Sequence, residues 1–150
     1  MTEEIEALDQ NRMIVLSLKQ RFAEAILAGT KTVELRRTTP KIEVPTRALL
    51  YASTPVRALL GTCIITDVRT ANLTALWREY GSRSELSHNE FKRYFEGLDI
   101  GTALALSHQQ PLDRIVPLQD LRAKPRGFRP PQSFAYVDTK TGNRLLRMAA

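Results

Sequence analysis

Five to seven short strands, with helices set near the start and in the middle, predict an α+β fold: a small, closed or nearly closed β-barrel of mostly antiparallel strands flanked by helices. Three observations carry that prediction. Short apolar runs rich in β-formers recur along the chain, at 13–18, 47–52, 56–68, 100–106 and 133–137. Two stretches instead space their apolar residues as helices do, one around Phe22 and Ile26, the other from Leu73 to Phe95. The 150 residues are 43% hydrophobic and 25% charged, without repeats or low-complexity tracts, the balance of one soluble domain that can bury a core without staples.

Each element has its own local reason. Residues 13–18 (Met-Ile-Val-Leu-Ser-Leu) read as a buried strand. In 19–28, Phe22, Ala23, Ile26 and Leu27 line one helical face, and Gly29 ends the helix, since glycine takes positive φ at little cost. A strand follows over 32–36. Two prolines make 38–45 a loop, placed to form a mobile flap over that strand's charged face. Residues 47–52 are a second apolar strand, broken by Ser53-Thr54-Pro55. Residues 56–68 are strand again, with Gly61 a bulge or a point of close approach, and Cys63 reads as a small buried thiol. Asn72 or Thr74 caps a helix that Gly81 stops. Ser87 and Glu90 form a capping box for a helix over 88–98. Its aromatic stripe, Phe91, Tyr94 and Phe95, reads as core. Residues 100–106 are a strand ended by Pro111, 115–121 a short edge strand, and 133–137 the last strand. Residues 1–12 read as a flexible acidic segment, 13–137 as the domain, and 138–150 as a basic tail.

Composition narrows the function. One cysteine excludes an internal disulfide, and nothing argues for an oxidising compartment. The acidic N-terminus is no secretory signal, and no apolar run approaches the roughly 20 residues that cross a bilayer. A cytoplasmic protein with no membrane partner is expected; the oligomeric state is left open. Net charge is +6, and the first 11 residues hold −4 of acid, so the other 139 carry +10. A body this basic suits a polyanion, RNA or a nucleotide above all. The histidines, His88 and His108, lie 20 residues apart with no ligand-spaced partner, so neither a metal nor a cofactor is expected. Glycine-rich phosphate loops, nucleophile elbows and dinucleotide fingerprints are missing. Any catalysis therefore falls to Lys, Glu, Asp, Tyr, Ser or Thr.

The best candidate site is the turn and strand at 29–37. Strand alternation puts Val33 and Leu35 on one face, toward a core, and Glu34 and Arg36 on the other, with Lys31 at the mouth of the turn and Arg37 beside it. Read plainly, this is a surface ion pair worth about 0–1 kcal/mol. Read functionally, it is the rim of a binding or catalytic site. Arg122, Lys124, Arg126 and Arg129 form a basic loop that could line a phosphate path.

The pattern of Gly29, Lys31, Glu34 and Arg36 resembles the signature of the ASCH domain family. Residues 50–56 (Leu-Tyr-Ala-Ser-Thr-Pro-Val) resemble its second-strand motif, the double helix over 73–95 its insertion, and 130–134 (Pro-Pro-Gln-Ser-Phe) the closing motif of a bacterial subgroup. The resemblance covers about 13–137. It implies a PUA-like barrel with a basic cleft for RNA or a nucleotide, lined by Lys31, Glu34 and Arg36, with Ser53 and Gln132 on the rim. One branch of the family hydrolyses N4-acetylcytidine with a lysine, a threonine and a glutamate. Lys31 matches the lysine, Glu34 stands at the threonine position, and the glutamate falls near Ser84, with Glu85 beside it. Other members are ribonucleases, which would make Lys31 and Glu34 an acid–base pair. Two readings result: an RNA-binding module, or a small metal-independent hydrolase with Lys31, Glu34 and Glu85 catalytic. A bare ion pair on a protein that acts through a protein partner is the third.

Overall fold

The apolar run at 13–18 pairs on both sides and sits inside the sheet. In the computed structural model, which describes Leu8 and residues 11–150, the order is β1 (Arg12–Leu18), α1 (Gln20–Ala28), β2 (Val33–Arg36), β3 (Thr46–Ala52), β4 (Ala58–Asn72), α2 (Leu73–Tyr80), a 3-10 turn (Gly81–Arg83), α3 (His88–Tyr94), β5 (Ile100–Pro117), α4 (Leu118–Leu121), β6 (Phe134–Asp138) and α5 (Thr139–Arg147). Of the acidic segment, all but Leu8, Asn11 and Arg12 lies outside the described residues.

The strands form one six-stranded sheet in the order β2-β5-β4-β3-β1-β6. Its neighbours are antiparallel except β1 and β3, which run parallel with Leu16 opposite Leu50. The α+β class is as expected. Closure is not: β2 and β6 remain edges, with no backbone pairing between them among the described residues. A side chain spans the gap instead. Arg36 of β2 donates from Nη2 to the Ser17 carbonyl of β1 at 3.0 Å, and from Nη1 to the carbonyl and hydroxyl of Ser133, just before β6, at 3.1 and 3.0 Å.

Three apolar clusters hold the sheet. On one face Ile14, Leu16, Leu50, Ile65 and Leu104 pack against Ala23 and Ile26 of α1. The other face, with Val15, Leu49, Val116 and Val137, is covered by Leu121 of α4 and Leu145 of α5. Val33 and Leu35 of β2 join Leu76, Tyr80, Phe91 and Phe95 of the inserted helices, so β2 turns its apolar face to the insertion. Cys63 is buried in the first cluster, and burial pushes its thiol up to about 12. Gly61 is where α1 meets β4: an added Cβ there would stand 2.4 Å from Leu27 Cδ2.

Several boundaries differ from the sequence reading, each for a visible reason. Pro111 does not end its strand, because it pairs with Gly61 beside a register shift, where its missing N–H is tolerated. β5 therefore runs to Pro117, and Leu118–Leu121 is helix, not edge strand. Gly81 continues the chain into a 3-10 turn at φ −55°; its lack of a side chain is what lets Trp77 close over it, since a Cβ would lie 2.5 Å from Trp77 Cε3. The helix capped by Ser87 and Glu90 ends at Tyr94. The basic tail is a helix, α5, capped by the Asp138 carboxylate, which accepts from Thr141 N at 2.6 Å. The 38–45 loop is tethered: Thr39 and Thr102 hydroxyls meet at 2.6 Å, and Lys41 N donates to the Tyr136 hydroxyl at 2.7 Å.

Candidate active site

The site starts with the end of α1. Gly29 takes φ +84°, and its N–H and that of Thr30 close onto the Ile26 and Ala25 carbonyls, so the chain turns sharply into β2. Lys31 lands at that turn and points inward. It is 1% exposed, Glu34 7% and Arg36 5%. This is no surface pair. The Lys31 ammonium has three oxygens around it: the Val33 carbonyl at 2.9 Å, the Ser84 carbonyl, and Glu34 Oε1 at 3.1 Å. Three acceptors match the three protons of a charged lysine. The other Glu34 oxygen meets Arg36 Nη2 at 2.8 Å. One carboxylate thus sits between two cations. Burial draws Lys31 below its ordinary value; Glu34 and, more weakly, Glu85 oppose that, and Arg36 adds to it.

Above this triad opens a cleft of about 760 Å³. Its walls come from the start of α1, the strand ends carrying Ser17, Leu18 and Ser53, the inserted helix α3, and the segment before β6. Six basic side chains line it, Lys19, Arg21, Lys31, Arg36, Arg37 and Arg93, against two carboxylates, Glu34 and Glu90. Phe22 and Tyr94 add two aromatic rings; Lys31 Nζ lies 4.9 Å from the Phe22 ring centre. α3 is held in place by the Arg21–Glu90 ion pair, and by Arg37, which donates to the Tyr94 and Glu96 carbonyls at 2.7 and 3.1 Å.

The structure brings together Lys31, Glu34, Arg36, Arg37, Ser53 and Gln132. Glu85 is exposed at φ +63° and off the cleft lining; its neighbour Ser84 supplies the contact, through a backbone carbonyl. Arg122, Lys124, Arg126 and Arg129 are exposed and lie outside the lining. Of the 38–45 loop, only Thr38 reaches the cleft. Of the aromatic stripe, Phe91 and Phe95 are core, while Tyr94, 37% exposed, faces the cleft. Sequence reasoning passed over Ser17 and Ser133, which carry Arg36, and the rim cations Lys19, Arg21 and Arg93. The first two have no local signal. The rim cations sit at the start of α1 and on α3, and become candidates once the cleft is located. Among the described residues, no three His, Cys, Asp or Glu side chains are grouped as metal ligands, and no helix is long and apolar enough to cross a membrane.

Fold and site define an α+β protein in which one helix and a helical insertion frame a basic cleft over a buried Lys-Glu-Arg triad. The chain belongs to the ASCH domain family, whose pattern matches residues 16–110. It is 33% identical over 136 residues to the ASCH domain-containing ribonuclease of Zymomonas mobilis, covering 91% of each chain. The crystal structure of ASCH from Zymomonas mobilis superposes with a TM-score of 0.86 at 33% identity, over 92% of this chain and 96% of that one. The human THYN1 protein, crystallised in complex with 5-methylcytosine containing DNA, shares the fold, with a TM-score of 0.57 at 10% identity over 92% of this chain and 97% of that one.

Proposed function

We propose that this chain binds single-stranded RNA in the cleft and cleaves it there. The buried triad at the floor of an open basic cleft carries the reading. Burying ions is costly, and apolar residues of similar volume often hold a fold as well or better, so the triad fits a working role. The basic rim suits a polyanion, and a floor this buried admits an unpaired nucleotide rather than a duplex. The likeness to a ribonuclease at 33% identity supports cleavage.

The chemistry needs only groups already in the cleft. The RNA 2′-hydroxyl attacks the adjacent phosphorus and expels the 5′-oxygen, leaving a cyclic phosphate and a 5′-hydroxyl. Glu34 takes the 2′-hydroxyl proton. Lys31 exchanges one of its backbone carbonyls for the departing oxygen, stabilises the charge there and gives it a proton. A lowered lysine pKa makes it the better acid. Glu34 then returns its proton to Lys31 across their 3.1 Å contact, which resets the site.

Binding alone is the second reading, favoured by one observation: every Lys31 Nζ proton already has an acceptor within the protein. Incubation of short single-stranded RNAs with the protein and with Lys31→Met, resolved by mass, separates the two. Cleavage is expected, and it should fall by about 100-fold or more in the variant. RNA that is retained in a salt-sensitive manner but stays intact leaves a binding module.

A further inference from the structure

The positive charge of this chain is unevenly placed. Residues 111–150 hold eight Lys and Arg against three Asp, so +5 of the net +6 lies in the last 40 residues, and none of those eight cations lines the cleft. Arg122, Lys124, Arg126 and Arg129, in the loop after α4, and Lys140 and Arg147, on α5, are exposed. None of these six has an ion-pair partner among the described residues. The two sets share one side of the protein. Phe128 of the loop and Leu146 and Met148 of α5 pack on the same apolar cluster, around Leu121 and Leu145, on the sheet face opposite α1.

The loop has a fixed shape. Phe128 N donates to the Leu121 carbonyl and closes the loop at its base. Gly127 folds back on Arg122, where a Cβ would stand 2.5 Å from the carbonyl oxygen. Four like charges are thereby held within eight residues that contain no acid. Fixing them together costs free energy that a polyanion offsets. A nucleic-acid backbone is the polyanion that fits. The exposed large apolar side chains, Val44, Tyr94, Ile100, Ile115 and Tyr136, all lie off the loop and α5, so this face has little to insert into a bilayer or to stack on a base. Guanidinium and ammonium groups alone read phosphate, not sequence. The face also continues the cleft. Gln132 and Ser133 line the cleft, and the Ser17 hydroxyl donates to the Pro131 carbonyl at 2.6 Å. Arg129 precedes Gln132 by three residues, a chain reach of at most about 10 Å.

We infer that the 122–129 loop and α5 form a second, sequence-independent RNA surface, on the opposite side of the sheet from α1, which holds the strand running out of the cleft past Gln132. The inference rests on the proposed function in taking the polyanion to be the RNA that enters the cleft. It separates two jobs: the cleft takes the reacting nucleotides, and the loop and α5 take the flanking strand. Affinity therefore grows with RNA length.

The test is the binding of fluorescent 2′-O-methyl RNA, which lacks the attacking hydroxyl and stays intact, to the full chain at a series of salt concentrations. Short and long single strands, of about 4 and about 16 nucleotides, are compared by anisotropy. The long strand should bind more tightly and with the steeper salt dependence. Arg122→Gln, Lys124→Gln, Arg126→Gln and Arg129→Gln combined should make its log–log salt slope shallower by about 3, and Lys140→Gln with Arg147→Gln by about 1. The loop variant should weaken the long strand at least about 10-fold more than the short one. Arg78→Gln on α2, exposed and outside the cleft lining, should change neither. An unchanged slope in the loop variant, or equal weakening of both strands, overturns the surface. So does an affinity independent of length in a protein that phosphatidylserine vesicles capture through the same four cations, which would assign the face to a membrane. Cleavage of unmodified short RNA reads the cleft separately. Short RNA cut without any length effect on binding leaves the proposed function standing and removes the surface. A length effect lost in the loop variant of a protein that leaves every RNA intact removes cleavage and leaves the surface standing.

Discussion

Glu34→Gln is expected to destabilise the fold by about 3–5 kcal/mol, because it leaves two buried cations facing each other with no anion between them. Lys31 and Arg36 each lose an ion pair, at 3.1 and 2.8 Å, and the new amide presents its own N–H groups toward one of them. The loss carries a pH signature. Burial already draws Lys31 below its ordinary value, and Glu34 holds it up. Without the carboxylate, burial and Arg36 are opposed only by the weaker pull of Glu85, and the lysine falls further. Between that lowered value and the unfolded lysine's roughly 10.4, the native state binds fewer protons than the unfolded one. Stability therefore rises with pH across that window. Denaturant unfolding at a series of pH values should show the variant's deficit shrinking as pH climbs from neutrality toward 10. A deficit that is small and independent of pH would mean the triad is not electrostatically coupled.

Arg36→Lys keeps the charge and is still expected to cost about 3 kcal/mol. The planar guanidinium serves Ser17, Ser133 and Glu34 at once, and so links the β2 edge to the β1–β6 side of an open sheet. A lysine ammonium is a point charge on a flexible stem and cannot span those partners. The loss should be local as well as global: hydrogen exchange should speed up in β6, an edge strand paired only to β1. Unchanged exchange and an unchanged melting temperature would show that packing alone holds the two sides of the sheet together.

These effects explain what could be read from the chain and what could not. The turn at Gly29, the capping box of Ser87 and Glu90, the Asn72 cap and the close approach at Gly61 all follow from local chemistry, and each is legible in a few consecutive residues. The burial of Glu34 and Arg36 is not. Strand alternation correctly separates them from Val33 and Leu35, but it cannot say that α2 and α3 cover the apolar face while α1 roofs the charged one. For the same reason the pair reads from sequence as a surface contact and proves to be a buried triad. Arg36 finds Ser133 at a separation of 97 residues, a partner no local pattern indicates. The 122–129 basic run is the converse case. Its charge density is plain in sequence, yet the chain carries it away from the cleft lining. In α5 the basic residues mask the Gly142 and Leu145 spacing that seats the helix on the sheet.

Whether nucleic acid enters this cleft is tested most directly by photocrosslinking. Single-stranded RNA carrying 4-thiouridine is irradiated with the protein, and the crosslinked peptides are mapped by mass spectrometry. Crosslinks are expected in the peptides holding Phe22 and Tyr94, the two aromatic side chains that line the cleft above the triad. Crosslinks confined to 122–129, with Phe22 and Tyr94 unmodified, would contradict the account and move the RNA to the basic loop.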